Sequence, residues 1–232
     1  MISSHRMSAS VRRVVSLIIV SLIATSSAFA TGERNSFDPT QFSTGNFHGC
    51  PPTGQGSDPY LNSLKNRDQP PTGGKIYTVA KLYRVTPRLP NRKIHREKWT
   101  AAQQDLAAIW EQRSVMVEGY LIDAVKEGRE ACNCGDDTYV DHHLWLAGTP
   151  SASKARALVV EVSPRSWPTH PTWSDNATFR KLVRDKAKVR VAGWLTWDQE
   201  HQANVGGSRM TLWEVHPIHS IQVWRNNQWV TI

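Results

Sequence analysis

Cysteine is scarce in this 232-residue chain, with three residues at positions 50, 132 and 134. Cys132 and Cys134 form one Cys-x-Cys, and no second pair is present to complete a four-sulfur zinc site. No cysteine lies just after the apolar run near the N-terminus, which argues against a lipoprotein. The His-Glu-x-x-His motif of zinc proteases is absent as well. Beyond residue 30, no stretch is apolar enough to cross a membrane.

The first 30 residues have the pattern of a secretory signal peptide. Three arginines precede the run VVSLIIVSLIA, and Ala28 to Ala30 fit the small-x-small cleavage rule. We therefore predict that residues 1–30 are removed and that one domain is exported to the periplasm or the cell exterior. Because that compartment is oxidising, we expect a disulfide from Cys50 to either Cys132 or Cys134.

Charge is biased towards the basic side, with a formal net charge of +8. The leader contributes three arginines and no acid, so a moderate basic excess remains after cleavage. Such an excess suits nucleic acid or an anionic polysaccharide as partner, and it also suits plain solubility. The oligomeric state is left open.

Residues 31–98 are predicted to be an extended, Pro/Gly-rich and basic N-terminal segment that wraps the domain or stays mobile. A short helix around residues 60–65 and a strand over residues 76–85 are expected within it. Thr100 and Gln103 then form a capping box, which predicts a helix at the start of the second region, residues 99–232.

Five strands and one helix follow in an order that predicts the fold. The expected strands cover residues 115–121, 143–147, 157–162, 189–195 and 211–224, and the helix covers residues 175–187. The first and fourth strands repeat the pattern Val-x-Val-x-Gly, and a glycine within a strand suits the sharp bends of a small barrel. The fold class is therefore mainly β (α+β). We predict a five-stranded OB-like Greek-key barrel with its helix between strands three and four, plus an N-terminal wrap and one preceding helix.

The loop after the fourth strand begins at Trp197, where such barrels usually flank their ligand face. Tryptophans there could stack on bases or sugars while arginines counter phosphate, although aromatic side chains also dominate small cores. The candidate ligand-binding residues are Trp145, Arg165, Trp194, Trp197, Asp198, His201 and Arg209.

A second set of residues has the chemistry of a divalent-metal site. Residues two apart share a face of a strand, so Asp141 pairs with His143 and Glu214 pairs with His216. In an OB barrel the third strand lies between these two strands, and its outward-facing Glu161 would stand between them. The alternative is an ordinary polar outer face, hydrogen-bonded to neighbours. A third possibility is acid–base hydrolysis by Asp198, His201, Arg209 and Glu214 at one mouth of the barrel.

Several motifs resemble those of a family of uncharacterised exported bacterial proteins. They are the LNSLKNR segment, the NC that precedes DHHLWL, GWLTWDQEH and WEVHP. The resemblance covers most of the chain after the leader, departs from the family pattern at Ser163, and implies no activity. Cys134 is one of the matched positions, and Cys50 with Cys134 is the candidate disulfide.

These observations predict a secreted ligand-binding module for nucleic acid or another anionic polymer. The alternatives are a metal-assisted hydrolase, such as a phosphodiesterase or nuclease with a divalent metal as cofactor, and a structural envelope protein. Whether the protein is an enzyme is left open.

Overall fold

The structure, a computed structural model, describes residues 37–90 and 96–232. The predicted signal peptide, residues 1–30, lies outside these residues, and so do residues 91–95 of the predicted basic segment. In the part of the chain described, no helix combines the length and the apolar composition needed to span a membrane.

The described residues contain four α-helices and seven β-strands. In chain order they are α1 (Pro59–Lys65), β1 (Lys75–Thr78), α2 (Val79–Val85), α3 (Ala101–Glu111), β2 (Ser114–Lys126), β3 (His142–Ala147), β4 (Leu158–Val162), α4 (Asn176–Arg184), β5 (Lys188–Trp197), β6 (Trp213–Arg225) and β7 (Gln228–Thr231). The helix predicted from the capping box is confirmed as α3, and both reciprocal hydrogen bonds of the box form.

Five strands close into the predicted barrel. The pairing order is β2-β3-β4-β6-β5, and β5 returns to β2 to complete the ring. The β4–β6 pair is parallel and the other four barrel pairs are antiparallel. With α4 between the third and fourth barrel strands, the OB-like α+β fold class is confirmed. β1 adds to β2 and β7 adds to β6 outside the ring.

The two repeated strand patterns pair with each other where the barrel closes. Val115 of β2 faces Gly193 of β5, and Gly119 faces Val189. A Cβ at Gly193 would overlap the carbonyl oxygen of Pro217, and one at Gly119 would lie 2.6 Å from the carbonyl oxygen of Ala147. Both glycines are therefore required for close approach of neighbouring strands, as the pattern indicated.

The barrel interior is filled by alternate strand residues. Leu144, Val160, Val162 and Val215 belong to one buried apolar cluster, and Phe179 of α4 packs into the same cluster. Because Val160 and Val162 point inward, Glu161 between them points to the outer face of the barrel. That outer face of β3, β4 and β6 positions the site described below.

Residues 37–74 lie against the barrel and cover this outer face. Arg67 is fully buried and donates to the carbonyl oxygens of Leu64 (2.8 Å) and Leu195 (3.0 Å), so it joins the segment to β5. A disulfide joins Cys50 to Cys134, which confirms the candidate pairing, and Cys132 is a buried thiol.

One predicted element is wrong. The run over residues 76–85 was expected to be a single strand, but the chain forms the short β1 and then turns into α2. The Thr78 hydroxyl caps α2 by accepting from Lys81 N at 3.2 Å. Val79 and Leu82, three residues apart, then share the buried face of α2. The apolar residues of this run are compatible with helical spacing as well as with strand alternation.

Candidate metal centre

Three neighbouring strands of the barrel bring the acidic and histidine side chains together. His143 of β3 is the register partner of Glu161 of β4. On the other side of β4, Val159 pairs in parallel with Glu214 of β6, so Glu161 lies beside His216. Asp141 is the residue that precedes β3 and lies on the face of His143.

The resulting distances place His216 at the middle of the group. Its Nδ1 lies 3.1 Å from Glu161 Oε2 and 3.2 Å from Glu214 Oε1. Its Nε2 lies 3.2 Å from Asp141 Oδ2. His143 reaches the group through Glu161, with 3.7 Å between His143 Nδ1 and Glu161 Oε1. The structure thus brings together all five residues that the sequence suggested as metal ligands.

This group is enclosed rather than open to solvent. Asp141, Glu214 and His216 are 0% exposed and Glu161 is 1% exposed. The reason is the covering N-terminal segment, because an outer barrel face would otherwise be solvated. Ionised carboxylates are costly to bury unless they are paired with cations or coordinate a metal.

Two ligand atoms in the group lack a hydrogen-bond partner. Neither His216 Nε2 nor Glu161 Oε2 forms a hydrogen bond with any group in the described residues, and both atoms are buried. His216 Nε2 lies 3.2 Å from Asp141 Oδ2, and Glu161 Oε2 lies 3.1 Å from His216 Nδ1. These distances suit hydrogen bonds, so it is the angles at the donor or acceptor that do not. Both atoms therefore take part in ion pairs of His216 and not in well-directed hydrogen bonds.

The spacing of these atoms suits a metal ion. One ligand atom from each of Asp141, Glu161 and His216 lies within 4.8 Å of the other two. Two ligands that are each about 2.0–2.1 Å from a tetrahedral zinc lie roughly 3.3 Å apart. The 3.2 Å between Asp141 Oδ2 and His216 Nε2 is close to that value. We call these three residues the Asp141–Glu161–His216 centre.

A second set of possible ligands shares Asp141 with this centre. Glu130, Cys132 and Asp141 also offer ligand atoms within 4.8 Å of one another. Asn133 donates to Asp141 Oδ1 at 3.0 Å and fixes that carboxylate. Glu130 could not be found from the sequence, because its loop has no strand periodicity that would place its side chain. The sequence indicates Cys132 only as a disulfide or zinc-knuckle candidate.

The electrostatics of the centre couple its members. Burial opposes the charged form of His216, but the carboxylates of Glu161 and Asp141 outweigh it and raise the pKa of the imidazole well above its usual value. Burial likewise opposes ionisation of Glu161, yet His216 and His143 hold its pKa well below the usual range. Glu130 behaves differently, because burial and the Asp141 charge raise the pKa of its carboxyl well above normal. The carboxylates of Asp141 and Glu161 thus stabilise a positive charge between them, here as the protonated imidazole of His216.

A second polar group, the Lys65–Asp198–His201 group, lies beside the centre. The Lys65 ammonium of α1 is 2.9 Å from Asp198 Oδ2, and both side chains are buried. His201 Nδ1 is 2.8 Å from the same oxygen, and its side chain is 32% exposed. Burial raises the pKa of Asp198, but Lys65 and His201 together bring it well below normal. The hydrogen bond that His201 donates to the Asp198 carboxylate raises the pKa of the imidazole, although partial burial opposes this. Sequence spacing did not single out Lys65.

Arg209, a predicted ligand-binding residue, forms an ion pair with Glu214. Its Nη1 lies 3.3 Å from Glu214 Oε2, and the arginine is 1% exposed. Arg165, another predicted binding residue, is 6% exposed and donates to the carbonyl oxygens of Gly45 and Cys50. Both guanidinium groups therefore make contacts within the fold rather than with solvent.

The candidate tryptophans are buried. Trp145, Trp194 and Trp197 are 7%, 6% and 4% exposed. The indole nitrogens of Trp145 and Trp194 donate to the backbone oxygens of Ser208 and Gln69. Their rings thus offer no exposed strip on which bases could stack in this arrangement.

The chain matches no protein-family model, no curated protein and no solved structure. The family resemblance noted in the sequence therefore stays a prediction, and the function is argued from the site alone.

Proposed function

We propose that the protein binds a divalent transition-metal ion, such as Zn²⁺, at the Asp141–Glu161–His216 centre. The convergence of buried ligand atoms from Asp141, Glu161 and His216, two of which form no hydrogen bond, carries this proposal. Carboxylate and imidazole groups are ligands that zinc and similar ions accept. Glu214 Oε1 lies 3.2 Å from His216 Nδ1 and would fix the orientation of the imidazole ring, as acceptors beside metal-binding histidines commonly do.

The site gathers more carboxylates than lysine and arginine side chains that pair with them. Five carboxylates gather here, namely those of Glu130, Asp141, Glu161, Asp198 and Glu214. In the described part of the chain, Lys65 and Arg209 are the lysine and arginine side chains that form ion pairs with them. The remaining negative charge must be balanced by protons or by a metal.

Export of the protein is part of the proposal. The Cys50–Cys134 disulfide supports it, because disulfides persist in oxidising compartments and are rare in the cytosol. The pattern of the first 30 residues supports the same route.

Thermal unfolding with and without added Zn²⁺ tests metal binding. A metal at a hundred times its dissociation constant stabilises the folded state by about 2.7 kcal/mol. We expect a clear rise in Tm for the wild type and none for Glu161→Gln or His216→Gln. Glu118→Gln is the matched control, because Glu118 pairs with Arg190 on another face and keeps the response. A wild type that does not respond, or an equal response in all four proteins, contradicts the proposal.

A metal-assisted hydrolase is the second candidate. The observation that favours it is His201, which Asp198 orients and which is partly open to solvent, as a general base requires. A metal held by Asp141, Glu161 and His216 would have three protein ligands, which is the number typical of catalytic zinc sites. Such a metal would supply Lewis-acid chemistry.

Hydrolysis of a chromogenic phosphodiester by the metal-loaded protein separates the two candidates. If the protein is a hydrolase, His201→Ala retains the metal and loses turnover, while Glu161→Gln loses both. A metal-loaded wild type without turnover removes the hydrolase and leaves metal binding in place.

A further inference from the structure

A cavity at the C-terminal end of β5, which is lined by none of the five predicted metal ligands, has the chemistry of an anion site. It has a volume of about 250 Å³ and lies between the end of α2 and the junction of β5 with β6. Arg84 and Arg88 line it, together with Tyr83, Trp197 and Thr211. None of its lining residues within the described chain is acidic.

The polar groups of this cavity are donors. Trp197 is 4% exposed, and its indole Nε1–H has no hydrogen-bond partner in residues 37–90 and 96–232. The Thr211 hydroxyl oxygen accepts from Trp213 N at 3.2 Å, so its own hydrogen is available to a ligand. Arg84 and Arg88 are exposed and form no ion pair with a described residue. An unpartnered buried indole N–H is costly unless something accepts from it.

The cavity wall is tied to the barrel rather than loosely placed. The indole nitrogen of Trp213 donates to the carbonyl oxygen of Pro87 at 2.8 Å, between the two arginines in sequence. The rings of Trp197 and Trp213 lie 5.2 Å apart in an edge-to-face contact. Donors held on such packed elements are preorganised for a ligand.

We propose that this cavity binds a phosphate group, either as free phosphate or as the phosphate of a nucleotide. Guanidinium groups pair with phosphate oxygens in a bidentate manner, and the indole and hydroxyl donors complete the shell. The volume is below the roughly 300–1,000 Å³ of sites for drug-sized ligands, so the occupant is small. Tyr83 is 42% exposed and offers a ring face on which a base could stack.

Calorimetric titration of the purified protein at low salt, with inorganic phosphate, uridine monophosphate and uridine, tests this assignment. We expect both phosphate-bearing probes to bind and uridine alone to bind far more weakly. Tighter binding of the nucleotide that Tyr83→Ala reduces to the level of phosphate identifies a nucleotide as the source. Equal binding of phosphate and nucleotide identifies free phosphate.

Variants show whether the cavity is the site. Arg88→Ala should weaken phosphate binding at least about tenfold, which is the value of one charge-assisted hydrogen bond. Trp197→Phe keeps a ring and removes the indole donor, and it should weaken binding by several fold. Arg184→Ala, which removes an exposed charge at the end of α4, is the matched control and should leave phosphate binding unchanged. No phosphate binding by the wild type, or equal loss in the Arg88 and Arg184 variants, overturns the proposal.

Discussion

The buried pair of Lys65 and Asp198 allows a quantitative test of how the N-terminal segment holds the barrel. Lys65 Nζ lies 2.9 Å from Asp198 Oδ2, with side-chain exposures of 6% and 0%. Burial opposes the charge on Lys65, but Asp198 and Glu214 raise the pKa of its ammonium well above the usual value. The pair is therefore ionised at neutral pH and is screened little by salt.

The expected magnitudes follow from what each substitution leaves behind. Lys65→Met leaves the Asp198 carboxylate buried with His201 as its charged neighbour, and removal of one partner of a buried pair costs about 3–5 kcal/mol. Asp198→Asn leaves a buried ammonium and should cost a similar amount. The double variant leaves no buried charge unpaired, so its loss should be smaller than the sum of the single losses by about 2 kcal/mol or more.

Urea unfolding followed by tryptophan fluorescence measures this cycle. The denaturation midpoints of the wild type, both single variants and the double variant give the coupling free energy if the slopes agree. Glu118→Gln, at a partly exposed pair, is a control that should cost less than about 1 kcal/mol. Single losses below about 1 kcal/mol that simply add would refute the reasoning, because the two charges would then not be a buried pair.

Three further predictions concern the barrel, the disulfide and pH. Gly193→Ala should lower the free energy of unfolding by about 1–3 kcal/mol through overlap with the neighbouring strand, whereas Gly128→Ala, with open space around it, should not. Cys50→Ala opens a loop of 84 residues and should lower stability, measured by urea midpoint, by up to about 4 kcal/mol; an unchanged midpoint contradicts this. The stabilisation from Asp198 should be complete above its ordinary pKa of 3.8 and be lost as pH falls through its lowered folded pKa. The free energy of unfolding of Asp198→Asn should therefore fall less steeply below about pH 4 than that of the wild type. Identical acid unfolding transitions of the two proteins would contradict this.

The barrel could be predicted because its signals are local and periodic. Alternation in β2 and β5, and the glycines at 119 and 193, follow from strand geometry and from the close contacts that a closed sheet needs. The change from β1 to α2 could not be predicted, because the apolar residues of 76–85 fit both the two-residue period of a strand and the 3.6-residue period of a helix. The N-cap formed by Thr78 and the packing of α2 on the barrel decide that choice.

The candidate site was predicted in part. The lateral neighbours His143, Glu161 and His216 follow from OB strand order, which places the third strand between the second and the fifth. Their burial could not be predicted, because it depends on residues 37–74 covering that face. The same segment brings Lys65 of α1 to Asp198. This contact could not be predicted, because a helix remote in sequence has no periodic relation to the strands. Burial of Trp194 has the same origin, because Phe42 packs against its ring and the Gln69 carbonyl accepts from its indole nitrogen.

Metal stoichiometry is the most direct test of the central claim. Protein prepared without a histidine tag is dialysed against Zn²⁺, separated from free metal and analysed for zinc by mass spectrometry. We expect about one zinc ion per chain in the wild type and in Glu118→Gln, and none in His216→Gln, because one centre supplies the ligands. A wild type without zinc, or a His216→Gln variant that retains it fully, would contradict the account.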